Sequence, residues 1–158
     1  MKQPQANPPR RFSLRPAMES DGATLRALLR EAHLTDEGLD EGLRAGGFAV
    51  ATDAERVVAG AGVEVHGASG LLRSVVVAAD LRGSGMGAAL VADRLAWCRA
   101  RGLSSVYLLT ETAADFFARR GFTQVRREEV PQEIRRSDEF SRLCPDSAAV
   151  MVRALPDA

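Results

Sequence analysis

The stretch Arg82-Gly83-Ser84-Gly85-Met86-Gly87-Ala88 decides the fold. It lies directly after the strand-like run Leu71-Leu72-Arg73-Ser74-Val75-Val76-Val77 and directly before a helical pattern. A strand, a glycine-rich turn and a helix N-terminus in that order aim several unpaired backbone N–H groups, and the positive end of the helix dipole, at one point. Such a junction suits a phosphate or pyrophosphate. A Walker loop requires Lys and then Ser or Thr after its last glycine, and Ala88-Ala89 stands there instead. Gly83, Gly85 and Ala88 satisfy the letters of the dinucleotide fingerprint G-x-G-x-x-A, but that fingerprint needs further βαβ units and an acid about 20 residues on. One clear strand-helix pair follows, and the nearest strand-end acid, Glu111, comes later. The remaining description is an Arg-x-x-Gly-x-Gly turn from Arg82 to Gly87.

Outward from this turn the pattern is regular. Toward the N-terminus, Phe12 to Ala17 reads as a short strand ending at Pro16. Ser20 offers an N-cap to a helix with Leu25, Leu28 and Leu29 on one face. His33 to Gly47 is polar and glycine-punctuated, a loop and short helix through Leu39 and Leu43. Phe48 to Thr52 and Val57 to His66 form a hairpin about Asp53-Ala54-Glu55, and Gly67 to Gly70 turns the chain into the Leu71 to Val77 strand. Toward the C-terminus, Met86 to Arg101 is a helix stopped by Gly102. Ser104 to Thr110 is an almost wholly apolar strand, expected to be buried on both faces. A short helix over Ala113 to Arg120, a strand over Phe122 to Arg126, a short helix over Pro131 to Arg136 and a last strand over Ala148 to Val152 complete the order.

Composition bounds the function. A chain of 158 residues is one domain with a real core. Its 21 basic and 21 acidic residues balance, so no global field points to nucleic acid or membrane as a partner. No apolar run approaches the ~18 residues of a membrane span, and Met1 to Arg11, with three prolines, reads as a disordered tail without a signal-peptide core. A cytoplasmic protein, monomer or homodimer, is expected. Cys98 and Cys144 are isolated thiols without C-x-x-C spacing, which points to small buried side chains and to no metal site.

The segment Ala113-Ala114-Asp115-Phe116-Phe117-Ala118-Arg119-Arg120-Gly121-Phe122 looks like the A-x-x-F-Y-x-x-x-G-F helix of the GNAT superfamily of N-acetyltransferases, whose Arg-x-x-Gly-x-Gly turn cradles the pyrophosphate of coenzyme A. On both marks the chain resembles that superfamily. The resemblance implies an α/β (mixed α+β) single-domain fold over residues 12–153, followed by a tail at 154–158. Its splayed mixed sheet would have six to seven strands and about four flanking helices. Acetyl-CoA is the implied co-substrate, held by the backbone of Val75 and Val77, by Arg82, Gly83, Ser84, Gly85, Gly87 and Ala88, and by a wall at Phe117. Leu71-Leu72-Arg73-Ser74, Tyr107 to Thr110, Val130-Pro131 and Glu139-Phe140 through Leu143-Cys144-Pro145-Asp146-Ser147-Ala148 resemble the acetyltransferases of arsenic-resistance operons, relatives of enzymes that acetylate the amino acid arsinothricin. The tail also resembles the acetyltransferase domain of short N-acetylglutamate synthases. Both imply a small amine or amino-acid-like acceptor.

The implied chemistry is attack of a neutral amine on a thioester. An α-amino group is roughly 14% neutral at pH 7, a lysine-type amine about one part in 2,500, so an amino-acid acceptor asks little of a base. Glu64, between Val63 and Val65, is the first candidate base, with a solvent-facing strand position as the competing reading. Glu111, which competes with N-capping of the next helix through Thr112, and His66, before the Gly67 turn, follow. The N–H near Val75 would face the thioester oxygen. Phe117 stands where relatives carry a proton-donating tyrosine, which leaves water or Thr110 to relay the proton. Arg73, two residues before Val75, is expected by alternation on the same face, where it would grip a carboxylate or pair with a structural acid. Thr35 and Glu37 belong to the loop expected to wall the acceptor site. Phe117 and the open choice of base keep a second reading alive, an acyl-CoA-binding module without turnover.

Overall fold

The computed structural model describes residues 12–143 and 145–156. The tail expected over residues 1–11 and the burial expected for Cys144 lie outside these residues. Seven strands form one sheet in the order β1-β2-β3-β4-β5-β7-β6. Antiparallel β1 (Ser13–Pro16), β2 (Phe48–Asp53), β3 (Arg56–His66) and β4 (Ser69–Val77) make up one half. β5 (Ser105–Thr110) runs parallel to β4, and β7 (Ala149–Ala154) and β6 (Thr123–Val125) close the other edge antiparallel.

One face of the sheet carries α3 (Met86–Ala100) and α4 (Ala114–Ala118), packed through Leu90, Val91, Leu95, Phe117 and Phe122 against Ala59, Ala61 and Leu72. The other face carries α1 (Gly22–Glu31) and α2 (Leu39–Arg44) over Val50 and Val76, with α5 (Gln132–Arg135) and a π-helical turn (Glu139–Leu143) over Leu71 and Val150. Leu25, Leu29, Leu90 and Ile134 are at most 1% exposed, each worth about 2–3 kcal/mol of transfer from water.

Five α-helices are present among the described residues, against about four expected. Several local expectations give way. Asp21 rather than Ser20 is the N-cap residue of α1; its side chain serves the 3-10 turn before the helix, where its carboxylate accepts the Met18 N–H at 2.7 Å and is held by Arg15 at 2.8 Å. β4 starts at Ser69, so the turn before it is only Gly67-Ala68. β5 is not buried on both faces: Val106 and Leu108 are buried, and Tyr107 and Leu109 half-buried. β7 reaches Ala154 and Leu155 is buried in the core, past the boundary expected at residue 153. No helix among the described residues is long and apolar enough to cross a membrane.

Candidate active site

Two backbone irregularities open the site. β4 pairs with β5 only at Ser69, Gly70 and Leu71, so beyond Leu71 the strands part and, among the described residues, no strand pairs with that edge of β4. On its other side, β4 pairs Arg73 with Gly62 but Val76 with Gly60, which sets Ser74 and Val75 together opposite Ala61. This is a bulge, and Ser74 takes the left-handed conformation (φ 58°) that accommodates it. The extra residue reverses the alternation. Val75 and Val77 therefore pack on the α3 face with Leu72, while Arg73 stays on the α1/α5 face with Leu71 and Val76. The same-face expectation for Arg73 and Val75 is thus corrected: they flank the opening from opposite sides.

A cleft of about 960 Å³ passes through this opening. On the α3 side it is lined by Val77, Arg82, Gly83, Gly85, Gly87, Ala88, Phe116 and Phe117. Gly83 (φ 81°) and Gly85 (φ 90°) hold left-handed conformations that let α3 start abruptly, with nothing within 4 Å of where a side chain would begin. The turn therefore presents open backbone, as pyrophosphate binding requires. Gly87 is small for another reason, since a Cβ there would lie 3.3 Å from the Phe116 ring. Ser84 does not line the cleft; its hydroxyl is buried without a hydrogen-bond partner among the described residues. Phe117 is 7% exposed and packs edge-on against Phe116 and Phe122.

At the far end the cleft meets Ala32, Thr35, Arg73, Thr110, Glu111 and Glu139. Arg73 is buried: one terminal nitrogen donates to the Glu37 carbonyl at 2.7 Å, another lies 3.4 Å from Glu64, and Nε lies 3.9 Å from Glu139. Glu64 is not among the lining residues. It sits behind Arg73, 3.9 Å from His66 Nε2, and hydrogen bonding to His66 together with the Arg73 charge holds its carboxyl below the usual range against the opposing effect of burial. The Glu37 carboxylate turns outward to Arg142 at 2.6 Å, so that loop contributes Thr35 and its backbone rather than the Glu37 side chain. Thr112 does not cap α4, whose N-cap residue is Ala113; the Thr110 hydroxyl accepts the Ala113 N–H at 2.9 Å in the turn before the helix.

Glu139 was missed as a site residue. It is 7% exposed, it lines the cleft, and burial pushes its carboxyl up to about 7 despite the nearby Arg73 charge. The sequence shows only an acid before a phenylalanine in a short amphipathic stretch, and only the fold brings that stretch over β4.

A model described as "Acetyltransferase (GNAT) domain" matches residues 44–124, and a Bacillus subtilis (strain 168) protein, "Uncharacterized protein YwlB", is 34% identical over 146 residues, covering 90% of this chain and 96% of that one. The chain belongs to the GNAT acetyltransferase family. Among solved structures, the GNAT fold is shared with N-acetylglutamate synthase from Neisseria gonorrhoeae complexed with coenzyme A and N-acetyl-glutamate (TM-score 0.80, 21% identity). That match covers 92% of this chain and 35% of that one, so the present chain spans about a third of the synthase. Rv2747 from Mycobacterium tuberculosis, in complex with CoA and NLQ, gives a TM-score of 0.77 at 26% identity over 91% of this chain and 99% of that one.

Proposed function

We propose that this chain is an N-acetyltransferase that moves the acetyl group of acetyl-CoA to the amino group of a small, amino-acid-like acceptor. The observation that carries this reading is the parting of β4 from β5 in front of the α3 glycine turn, which gives a cleft running through the sheet from one face to the other. The pyrophosphate of the co-substrate fits the open amides of Gly83 to Ala88 and Arg82. The pantetheine arm lies along the unpartnered edge of β4 at Val75 and Val77, and the thioester reaches the bulge. There the Val75 N–H is the donor for the carbonyl oxygen. Holding both reactants in one cleft supplies much of the rate by itself.

An amine entering from the α1/α5 face meets the opposite end of the cleft, between Thr35, Arg73 and Glu139. Arg73 lines this end of the cleft, where its guanidinium charge favours an acceptor carboxylate. The two glutamates beside Arg73 offset its charge, and they favour an acceptor that carries an ammonium group as well as a carboxylate. The ligands named for the Neisseria gonorrhoeae structure, coenzyme A and N-acetyl-glutamate, are the substrate class this reading draws on. The arsenic-operon resemblance adds arsenical and phosphinate amino acids to the same class. Phe117 has no proton to give, and the leaving thiolate, with an ordinary thiol pKa near ~8.5, takes its proton through water at modest cost. The experiment is thiol release from acetyl-CoA across a panel of amino acids, including glutamate and phosphinate and arsenical amino acids, against simple amines and polyamines. Release with the amino acids supports the reading. Preference for polyamines removes the acceptor class, and no release at all favours the non-catalytic binding module.

A further inference from the structure

We propose that the Glu139 carboxylate, positioned by Arg73 on the α1/α5 side of the cleft, is the base that takes the proton from the acceptor's ammonium group, an inference that rests on the acetyl-transfer reading above. In the balanced step, one ammonium N–H bond breaks and its proton passes to a Glu139 oxygen. The freed lone pair forms the C–N bond to the acetyl carbonyl carbon while the C–S bond breaks. The second N–H proton leaves the new amide for the thiolate through water, and Glu139 returns its own proton to solvent.

The geometry selects Glu139 over Glu64. Glu64 does not line the cleft, whereas Glu139 does, on the same face of the sheet as Arg73, whose Nε lies 3.9 Å from it. A π-helical turn is an uncommon backbone state, frequent at functional sites. Here it spans Glu139–Leu143 and is pinned from both ends of its first turn: Ser137 Oγ donates to the Ile134 carbonyl at 2.6 Å and accepts the Phe140 N–H at 3.3 Å, and Ser141 Oγ donates to the Ser137 carbonyl at 2.8 Å. Phe140 is buried against Leu71 and Val150, which fixes the direction in which its neighbour projects.

Among the described residues, charged groups on two neighbouring elements face Glu139. Arg73 comes from β4, with Nε 3.9 Å away; Glu64 and His66 come from β3 behind it, and Arg142 of the same turn is engaged by Glu37 at the surface. Burial raises the Glu139 carboxyl and Arg73 limits the rise, leaving it at about 7, where a base is half ionised yet strong enough to deprotonate an ammonium. Glu64, held low, has too weak a basicity for that step.

The test uses the full chain with acetyl-CoA and the best acceptor found for it. Glu139→Gln is expected to lower kcat/KM at pH 7 by roughly 10²–10⁴-fold, the range for loss of a positioned base, while coenzyme A still raises its Tm as in the wild type. The wild-type rate is expected to fall below about pH 7. That limb should stay in place for two acceptors of different amine pKa and be absent in Glu139→Gln, and Glu139→Asp should restore part of the rate together with the limb. Carboxyl-carbon NMR of glutamate-labelled wild type, which needs no variant to fold, should show one carboxyl titrating near 7. A Glu139→Gln enzyme within about threefold of wild type, or a Glu139 carboxyl titrating in the ordinary range near ~4.3, overturns the assignment alone. Absence of thiol release from the wild type with every acceptor overturns the acetyl-transfer reading and the base with it.

Discussion

Glu139 makes the stability of the fold depend on pH in an unusual direction. Its carboxyl is raised from an ordinary 4.5 to about 7 because the fold buries it. Between those values the native state holds a proton that the unfolded chain has released, so stability falls as pH rises, and the loss is complete above the native value. At ~1.4 kcal/mol per pH unit, keeping Glu139 ionised in the native state costs about 3 kcal/mol. Glu139→Gln resembles the protonated side chain and is free of this penalty. Urea unfolding should therefore find the variant close to wild type at low pH and more stable at high pH, with the gap growing by about 2 kcal/mol between about pH 5.5 and about pH 8.5. Asp21 and Glu64 are held low and contribute stability that is lost only as pH falls below the ordinary carboxylate range, so neither disturbs this window. A gap that is constant with pH, or one that shrinks as pH rises, refutes the account of Glu139 as a buried, raised carboxyl.

The remaining predictions concern the other parts of the cleft. Coenzyme A should raise Tm by mass action and NAD should not; Gly85→Asp, which puts a carboxylate and an unfavourable side chain on a left-handed residue facing the anion site, should abolish the rise seen by differential scanning fluorimetry. Phe117→Tyr should change kcat by no more than about tenfold, because the ring is a packed wall between Phe116 and Phe122; a thousandfold gain would show that wild type lacks leaving-group protonation. Arg73→Met removes the donor to the Glu37 carbonyl and the counter-ion of two carboxylates, and chemical denaturation should record a loss of about 3–5 kcal/mol. In the folded fraction, KM should rise by an amount worth ~1.5–3 kcal/mol for carboxylate-bearing acceptors and much less for simple amines. Equal effects on both would detach Arg73 from acceptor recognition.

The geometry of the glycine turn was legible because its requirements are local. A strand, two glycines at left-handed positions and a helix start are written in consecutive residues, and Phe116, Phe117 and Gly121 repeat the logic one helix later. The acceptor half was not. Val75-Val76-Val77 is apolar on both faces, so a period of two carries no information there, and Ser74 gives no sign that it occupies a conformation usually left to glycine. The bulge it makes moved Arg73 to the opposite face from Val75. Glu139 lies 66 residues beyond Arg73 in sequence, and its burial depends on Ser137, Phe140 and Ile134 seating a short turn over β4. No pattern within that turn announces the contact. The Glu37 side chain is drawn from the cleft by ordinary local chemistry, a surface ion pair with Arg142.

The central claim is acetyl transfer through the opened sheet. It is tested most directly by incubating the chain with acetyl-CoA and single amino acids, reading free thiol and product mass together. Thiol should appear in step with an amino acid heavier by one acetyl group, and the Gly85→Asp variant should produce neither. Thiol release without an acetylated product, or no release across the panel although coenzyme A binds, would contradict the account.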